Sequence, residues 1–145
     1  MKNSPDVHLP AILECAKDLR SKYKKLAAVG FCWGGSVGFK LAGKANAGLF
    51  ACITVTHPGT PTEDEVKDIG VPFQILAAEH DPPFPVEWRE YCCKELPKLG
   101  VDFHFQYFSG QVHGFGTRCD EKKESEKKAL ELAKNAVVFW ISNHT

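Results

Sequence analysis

The feature that most constrains the fold is the stretch Val-Gly-Phe-Cys-Trp-Gly-Gly-Ser at positions 29–36. An apolar run leads into it and small residues follow it, which predicts a buried strand that turns sharply into a helix. The pattern Gly-x-Cys-x-Gly-Gly matches the Gly-x-Ser-x-Gly turn that exposes a nucleophile, with sulfur in place of oxygen. Its glycines allow strand and helix to approach each other closely around Cys32. A helix that begins near Trp33 directs its amide groups at the sulfur, which favours a thiolate.

An inert, buried cysteine is the alternative interpretation of Cys32, because free cysteines are often buried and structural. The chain has six cysteines and no Cys-x-x-Cys pair, and Cys92 and Cys93 are adjacent, where a mutual disulfide is strained. The first segment also lacks the apolar core of a signal peptide, so we expect a reduced, cytoplasmic location. No run of residues approaches the length of a membrane span.

The rest of the chain alternates between helical and strand patterns. Apolar residues recur at helical spacing over 8–22, with charged residues between them, which predicts an amphipathic helix. Short apolar runs predict strands at 26–31, 50–56, 71–78 and 103–108. Helices are predicted at 33–43, 63–69, 86–96 and 122–141, and Thr62 with Glu65 forms a capping box for the second of these. The first strand has no polar alternation, which predicts burial on both of its faces.

This alternation predicts an α/β fold, a three-layer α-β-α arrangement around a mostly parallel sheet. A length of 145 residues favours a single domain over 1–145. Eighteen Lys and Arg residues balance eighteen Asp and Glu residues, which argues against a nucleic-acid partner and against a membrane surface. The chain has no phosphate loop and no dinucleotide fingerprint, so we expect no cofactor. No histidine pair has metal-ligand spacing with a carboxylate or thiol, so we expect no metal.

Three reactive side chains follow the ends of predicted strands, where functional groups of parallel sheets collect. The first strand ends at Cys32, the third ends at Asp81, and the fourth ends in a loop that contains His113. The order nucleophile, acid, histidine is the one expected for an α/β-hydrolase. Taken singly, Asp81 before two prolines is a common turn residue and His113 a common loop residue. Their coincidence at three strand ends favours a catalytic triad.

The chemistry that such a triad performs is acyl transfer. His113 would take the proton of Cys32, Asp81 would hydrogen-bond the far ring nitrogen, and the thiolate would attack an ester, lactone or thioester carbonyl. The backbone amide of Trp33 would donate to the developing oxyanion. The other histidines that follow or lie within strands are weaker candidates for a catalytic role. We expect His57 to be a turn residue that could also line the pocket. We expect His80 to point away from the site and His104 to be a surface residue.

Three blocks of the chain resemble the dienelactone hydrolase family: Gly-Phe-Cys-Trp-Gly-Gly at 30–35, Glu-His-Asp-Pro-Pro-Phe-Pro at 79–85 and Val-His-Gly-Phe at 112–115. The resemblance covers nearly the whole chain. It implies a Cys32, Asp81 and His113 triad that hydrolyses a lactone or other small-molecule ester. It also implies an arginine that binds a substrate carboxylate. Arg118 is the candidate, with Phe115 as a further substrate contact, and a solvated loop arginine is the alternative.

Members of that family are considerably longer, which implies that an amino-terminal half, with the second oxyanion amide, is absent from this chain. The strand over 26–31 would then be an exposed apolar edge, which invites self-association. Two alternatives therefore accompany the lactone or ester hydrolase. One is a truncated, weakly active or inactive remnant that serves as a binding or assembly module. The other is an enzyme for a thioester or acyl intermediate in specialised metabolism.

Overall fold

Helices and strands alternate throughout the computed structural model of the chain, which describes residues 4–120 and 122–145. The elements in chain order are α1 (Pro5–Lys22), β1 (Ala27–Phe31), α2 (Trp33–Leu41), β2 (Cys52–Thr56), α3 (Glu63–Lys67), β3 (Phe73–His80), α4 (Val86–Glu95), β4 (Phe103–Val112) and α5 (Glu124–His144). Short 3-10 turns follow α2 and α4, at Lys44–Asn46 and Leu96–Leu99. The predicted alternation and the α/β fold class are confirmed.

The four strands form one parallel sheet in the order β1-β2-β3-β4. Its register pairs Val29 with Thr54, Val55 with Ile75, and Ile75 with Phe105. Because every strand runs in the same direction, the carboxyl ends of all four lie at one edge of the sheet. The residues that follow those ends are therefore neighbours in space.

The two faces of the sheet carry different side chains. The face toward α2, here called the α2 face, buries Ile53, Val55, Phe73 and Ile75 in an apolar core with residues of α1, α2, α3 and α4. The opposite face, the α5 face, packs a smaller apolar cluster against α5, whose buried members are Leu76, Ala78, Phe108, Phe115, Ala129 and Ala133. Helices thus lie on both sides of the sheet, as alternating β and α units require.

Strand β1 departs from its predicted environment. It lies at the edge of the sheet, and α5 makes its main contacts with β2 and β4. Val29 and Phe31, which point to the α5 face, are consequently each 38% exposed. The prediction that this strand is buried on both faces is wrong, whereas the expectation of an exposed apolar edge agrees with the structure.

Strands β3 and β4 are longer than their apolar runs. They end at His80 and Val112 rather than at Ala78 and Phe108, because pairing resumes at His80 and Val112 after a register shift. The Glu79 carboxylate holds this segment by accepting hydrogen bonds from the Gly110 amide at 2.6 Å and the Ser109 hydroxyl at 3.0 Å. Polar residues therefore extend both strands toward the edge that carries the predicted site.

Helix ends follow local capping chemistry. α1 begins at Pro5, earlier than predicted, and proline suits a first helical turn because its missing N–H would have no partner there. The predicted capping box of α3 is present, with reciprocal hydrogen bonds between Thr62 and Glu65. Across residues 4–120 and 122–145, no helix combines the length and the apolar character needed to cross a bilayer.

Candidate active site

Cys32 occupies the sharp turn between β1 and α2. Its backbone has φ 52° and ψ −115°, a strained conformation for a residue with a side chain. The turn is held because the Cys32 amide donates to the Thr56 carbonyl at 3.1 Å. A Cβ atom on Gly30 would collide with the Gly34 carbonyl, so glycine is required where strand and helix meet. The thiol is exposed at the tip of this turn.

Trp33 begins α2 directly after Cys32. Its side chain is 42% exposed, and the indole packs edge-on against the His8 ring with the centroids 5.7 Å apart. The amide groups of the first turn of a helix point toward its amino terminus. The predicted oxyanion donor therefore lies at a helix amino terminus beside the thiol.

Asp81 follows β3, and its side chain is completely buried. Arg89 of α4 anchors the end of this strand by donating to the Ala78 and Glu79 carbonyls at 2.6 and 3.0 Å. Burial raises the pKa of Asp81 above its ordinary value, while the hydrogen bond and the charge of His113 oppose that rise. Oδ1 of Asp81 lies 2.8 Å from Nδ1 of His113.

His113 follows β4 and is the third of the predicted catalytic residues. Its backbone amide donates to the His80 carbonyl at 3.1 Å, which fixes the loop onto the end of β3. Its Nε2 lies 3.1 Å from Sγ of Cys32, while Nδ1 faces Asp81. With Nδ1 donating to the carboxylate, Nε2 is the nitrogen that accepts the thiol proton. The structure thus brings the three predicted side chains into one hydrogen-bonded row.

His57 lies beside the predicted triad, although the sequence favoured a simple turn residue at this position. It does turn the chain after β2, with φ 38°, but its ring is fully buried rather than exposed in the turn. The ring centroid lies 5.0 Å from that of His113 and 5.7 Å from that of Phe115. Burial, with a further contribution from the His113 charge, lowers the pKa of His57 to about 4. The sequence signal for this location is that His57 directly follows a strand, as Cys32 does.

The other two histidines differ from each other. His80 is exposed at the end of β3 and does not enter the row, in agreement with its prediction. His104 is not the predicted surface residue. It is partly buried, its Nδ1 lies 2.9 Å from Nε2 of Gln74, and its ring stacks on Trp140. The α5 face accepts this polar side chain because Gln74 supplies a hydrogen-bond partner.

The two predicted substrate contacts lie in the loop after His113. Arg118 is exposed, and its guanidinium packs over the backbone of Gly114, where a Cβ atom would come within 2.7 Å of it. Phe115 is only 3% exposed and packs against Phe108, with centroids 4.6 Å apart. Phe115 therefore belongs to the apolar cluster of the α5 face and offers little surface to a substrate, whereas Arg118 is accessible.

A cavity of about 340 Å³ lies between the α5 face of the sheet and α5, and Cys32, Asp81 and His113 are not among its lining residues. Its lining includes Phe31, which directly precedes Cys32, together with Thr56, Gly116 and the α5 residues Leu130, Ala133, Lys134, Val137 and Val138. The lining is predominantly apolar. In residues 4–120 and 122–145, no group of three or more His, Cys, Asp or Glu side chains is placed to hold a metal ion.

Comparison with known proteins places the chain in a family. Residues 5–145 match the Dienelactone hydrolase family, and the chain belongs to it. Hydrolase tropI of Talaromyces stipitatus is 34% identical over 97% of this chain and 55% of its own length. The Carboxymethylenebutenolidase homolog of Mus musculus is 29% identical over 83% of this chain and 49% of its own length.

Solved structures show the same fold at low sequence identity. A Paleococcus ferrophilus monoacylglycerol lipase superposes with a TM-score of 0.74 at 15% identity, covering 98% of this chain and 76% of the lipase. A dienelactone hydrolase-like promiscuous phosphotriesterase from metagenomic libraries superposes with a TM-score of 0.65 at 22% identity, covering 81% of this chain and 52% of that structure. The chain spans about half the length of the curated relatives it matches.

Proposed function

We propose that this chain carries the reacting groups of a cysteine hydrolase that cleaves a small lactone or carboxylic ester through an acyl-enzyme. The observation that carries the proposal is the row from Cys32 through His113 to Asp81, with separations of 3.1 and 2.8 Å. Both distances lie within hydrogen-bond reach, as a nucleophile, a base and an orienting acid require. Relatives named hydrolase and Carboxymethylenebutenolidase homolog support the same class of reaction.

The reaction runs in two halves. Nε2 of His113 takes the Cys32 proton, and the thiolate attacks the carbonyl carbon, whose oxygen becomes an oxyanion facing the Trp33 amide. The C–O bond to the leaving alkoxide then breaks, and His113 returns its proton to that alkoxide. In the second half His113 takes a proton from water, the hydroxide attacks the thioester, and Cys32 leaves with the returned proton. Asp81 stabilises the imidazolium in both halves.

Arg118 is assigned to the recognition of a negatively charged group on the substrate. Its guanidinium is accessible and lies over Gly114, the residue next to His113. Replacement by alanine should raise KM for a carboxylate-bearing ester and leave kcat unchanged, because a contact made equally in ground and transition states affects only KM. An unchanged KM would assign Arg118 to the solvated loop instead.

The decisive experiment compares Cys32→Ala with Cys93→Ala, which removes another exposed cysteine, on α4. With p-nitrophenyl acetate as substrate, Cys32→Ala should abolish turnover and Cys93→Ala should retain it. Mass spectrometry of quenched wild-type protein should find the acetyl group on Cys32. His113→Gln should lower the rate by about 10²–10⁴-fold. Equal turnover by Cys32→Ala and wild type would contradict the proposal.

A panel that pairs each oxoester with its thioester separates the substrate classes left open by the sequence. Higher kcat/KM for oxoesters and lactones supports the lactone or ester assignment, whereas a consistent preference for thioesters assigns the site to an acyl thioester. Both outcomes keep the same thiol, base and acid. The comparison therefore changes the substrate and not the mechanism.

We also propose that the chain self-associates by pairing β1 with the β1 of a second copy. Within the described part of the chain, β1 has a strand partner on one side only and exposes Val29 and Phe31. Val29→Lys places a charge on this edge, and the control Val7→Lys changes another exposed valine, on α1, which is 59% exposed against 38% for Val29. In light scattering at micromolar concentration, Val29→Lys should be monomeric and Val7→Lys dimeric like wild type. A monomeric wild-type protein at that concentration would show the assembly to be wrong.

A further inference from the structure

His57 combines three features that each cost free energy. Its φ of 38° lies in the left-handed region, which side chains with a Cβ atom disfavour. Its ring is completely buried. Neither ring nitrogen has a hydrogen-bond partner among the described residues. Costly combinations of this kind persist where the surroundings hold a residue in place, and they cluster at functional sites.

The surroundings of His57 hold its ring from several sides. The backbone amide donates to the Leu76 carbonyl at 2.9 Å, which ties the turn to β3. Phe31 and Phe115 pack at centroid distances of 6.0 and 5.7 Å. A Cβ atom on Gly116 would come within 3.4 Å of the His57 Nε2, so the loop after His113 lies directly on the ring. These contacts hold the ring in the position it occupies in the structure.

That position is against the proposed base. The rings of His57 and His113 meet edge to face, with centroids 5.0 Å apart and planes at 67°. The hydrogen bond that Nδ1 of His113 donates to Asp81 and the one that Nε2 accepts from Cys32 define a line, but they leave the ring free to rotate about that line. A rigid neighbour at its side removes this rotation. The groups that face His57 electrostatically are His113 and Arg118, and both disfavour a positive charge on it.

We infer that His57 is a positioning residue, whose neutral ring holds the His113 imidazole in register with Cys32 and Asp81. The inference rests on the proposed cysteine hydrolase. The working property is the shape of an aromatic ring without charge, since the His57 nitrogens bond to no described group. A ring of similar shape should therefore replace it, and loss of the ring should allow His113 to tilt away from the sulfur.

Two substitutions distinguish the contribution of the His57 ring shape from that of its nitrogen atoms. His57→Phe keeps an aromatic ring and removes the nitrogens. His57→Asn removes the ring and suits the left-handed backbone, which asparagine tolerates. The measured quantities are kcat, KM and the rate at which iodoacetamide alkylates Cys32 at pH 7, followed by peptide mass spectrometry. Buried Cys52 and Cys92 act as internal references because burial raises their pKa to about 11 and about 12.

His57→Asn should lower kcat and the Cys32 alkylation rate by about 10–100-fold with little change in KM, the size expected when a reacting group moves by about 1 Å. His57→Phe should keep both within about twofold of wild type. His104→Asn is the matched control, a partly buried histidine on the same face, and it should leave Cys32 alkylation unchanged.

Three results would overturn the inference: wild-type values for His57→Asn, an equal loss in a folded His57→Phe, or an equal loss in His104→Asn. If His57→Asn does not fold, by near-ultraviolet circular dichroism, the values for His57→Phe decide. Failure of the hydrolase proposal itself has a separate signature. In that case iodoacetamide alkylates Cys32 of the His113→Gln variant at the wild-type rate, whatever the results for the His57 variants.

Discussion

The two faces of the sheet differ in how they reach stability. The α2 face is closed by four helices and is wholly apolar across the central strands, with Ile53, Val55 and Phe73 fully buried. On the α5 face a polar chain crosses the same strands: Thr54 donates to Gln74, and the Gln74 amide contacts His104 and donates to the Ala136 carbonyl of α5. One face relies on apolar burial, and the other must also satisfy buried polar groups.

The proposed site lies at the carboxyl edge of the sheet, where its rings pack against the α5 face. Phe31, which precedes Cys32, and Thr56, the last residue of β2, line the α5 face. His57 follows β2 and packs against Phe31 at the carboxyl edge of that face. The His57 ring there is held by contacts with the rings of Phe31 and Phe115. The α2 face, through Arg89 and the close approach at Gly30, supplies the rigid support behind them. The following predictions test this division.

The largest effect should come from Phe73→Ala on the α2 face. Phe73 is fully buried and packs against Phe39 with centroids 5.0 Å apart. Truncation leaves a cavity that the surrounding helices cannot fill, so the free energy of unfolding should fall by about 3–5 kcal/mol. Urea denaturation followed by circular dichroism measures it. A loss below about 1 kcal/mol would mean that this face is not the main source of stability.

The next effect is the pH dependence of stability introduced by His57. Burial lowers its folded-state pKa from 6.5 to about 4, so between these values the unfolded chain binds more protons. The contribution of His57 is therefore fully present above pH 6.5 and is lost as the pH falls toward 4, by roughly 3 kcal/mol. Urea denaturation across this range should show His57→Phe gaining on wild type by that amount. A constant difference between the two would contradict the lowered pKa.

A smaller effect should follow from Gln74→Leu on the α5 face. The change leaves the buried Thr54 hydroxyl and the Ala136 carbonyl without Gln74, which should cost about 1–3 kcal/mol. Adding Thr54→Val should recover part of the loss, because both members of that pair are then apolar. Gln106→Leu, on the same face of β4, is the control and should change stability by less than about 0.5 kcal/mol. If the stability losses of Gln74→Leu and Thr54→Val were strictly additive, the Thr54 and Gln74 side chains would not be energetically coupled.

The smallest effect belongs to Phe139→Ala on the outer surface of α5. Phe139 is 71% exposed, so its removal should change the free energy of unfolding by less than about 0.5 kcal/mol. It is the matched comparison for Phe73→Ala, since both remove the same ring. A loss above about 2 kcal/mol would show that another copy or segment covers α5 in solution.

Much of the fold follows from local patterns. Short runs rich in apolar residues predicted the existence of each strand, although β1 and β4 lie at the edges of the sheet and are only partly buried. Thr62 and Glu65 predicted the start of α3 because a capping box involves only neighbouring residues. The lengths of β3 and β4 could not be predicted, since Glu79 stabilises their polar ends through Gly110, on a different strand. Edge exposure at Val29 likewise depends on where α5 packs.

For the candidate site, the sequence by itself determined which residues meet. Cys32, Asp81 and His113 each follow a strand, and parallel strands bring such residues to one edge. Only the tertiary structure decided the distances within the row, the burial of Phe115 and the position of His57 beside His113. The physical reason is that strand ends are set by local periodicity, whereas the orientation of a side chain depends on packing between segments far apart in the chain.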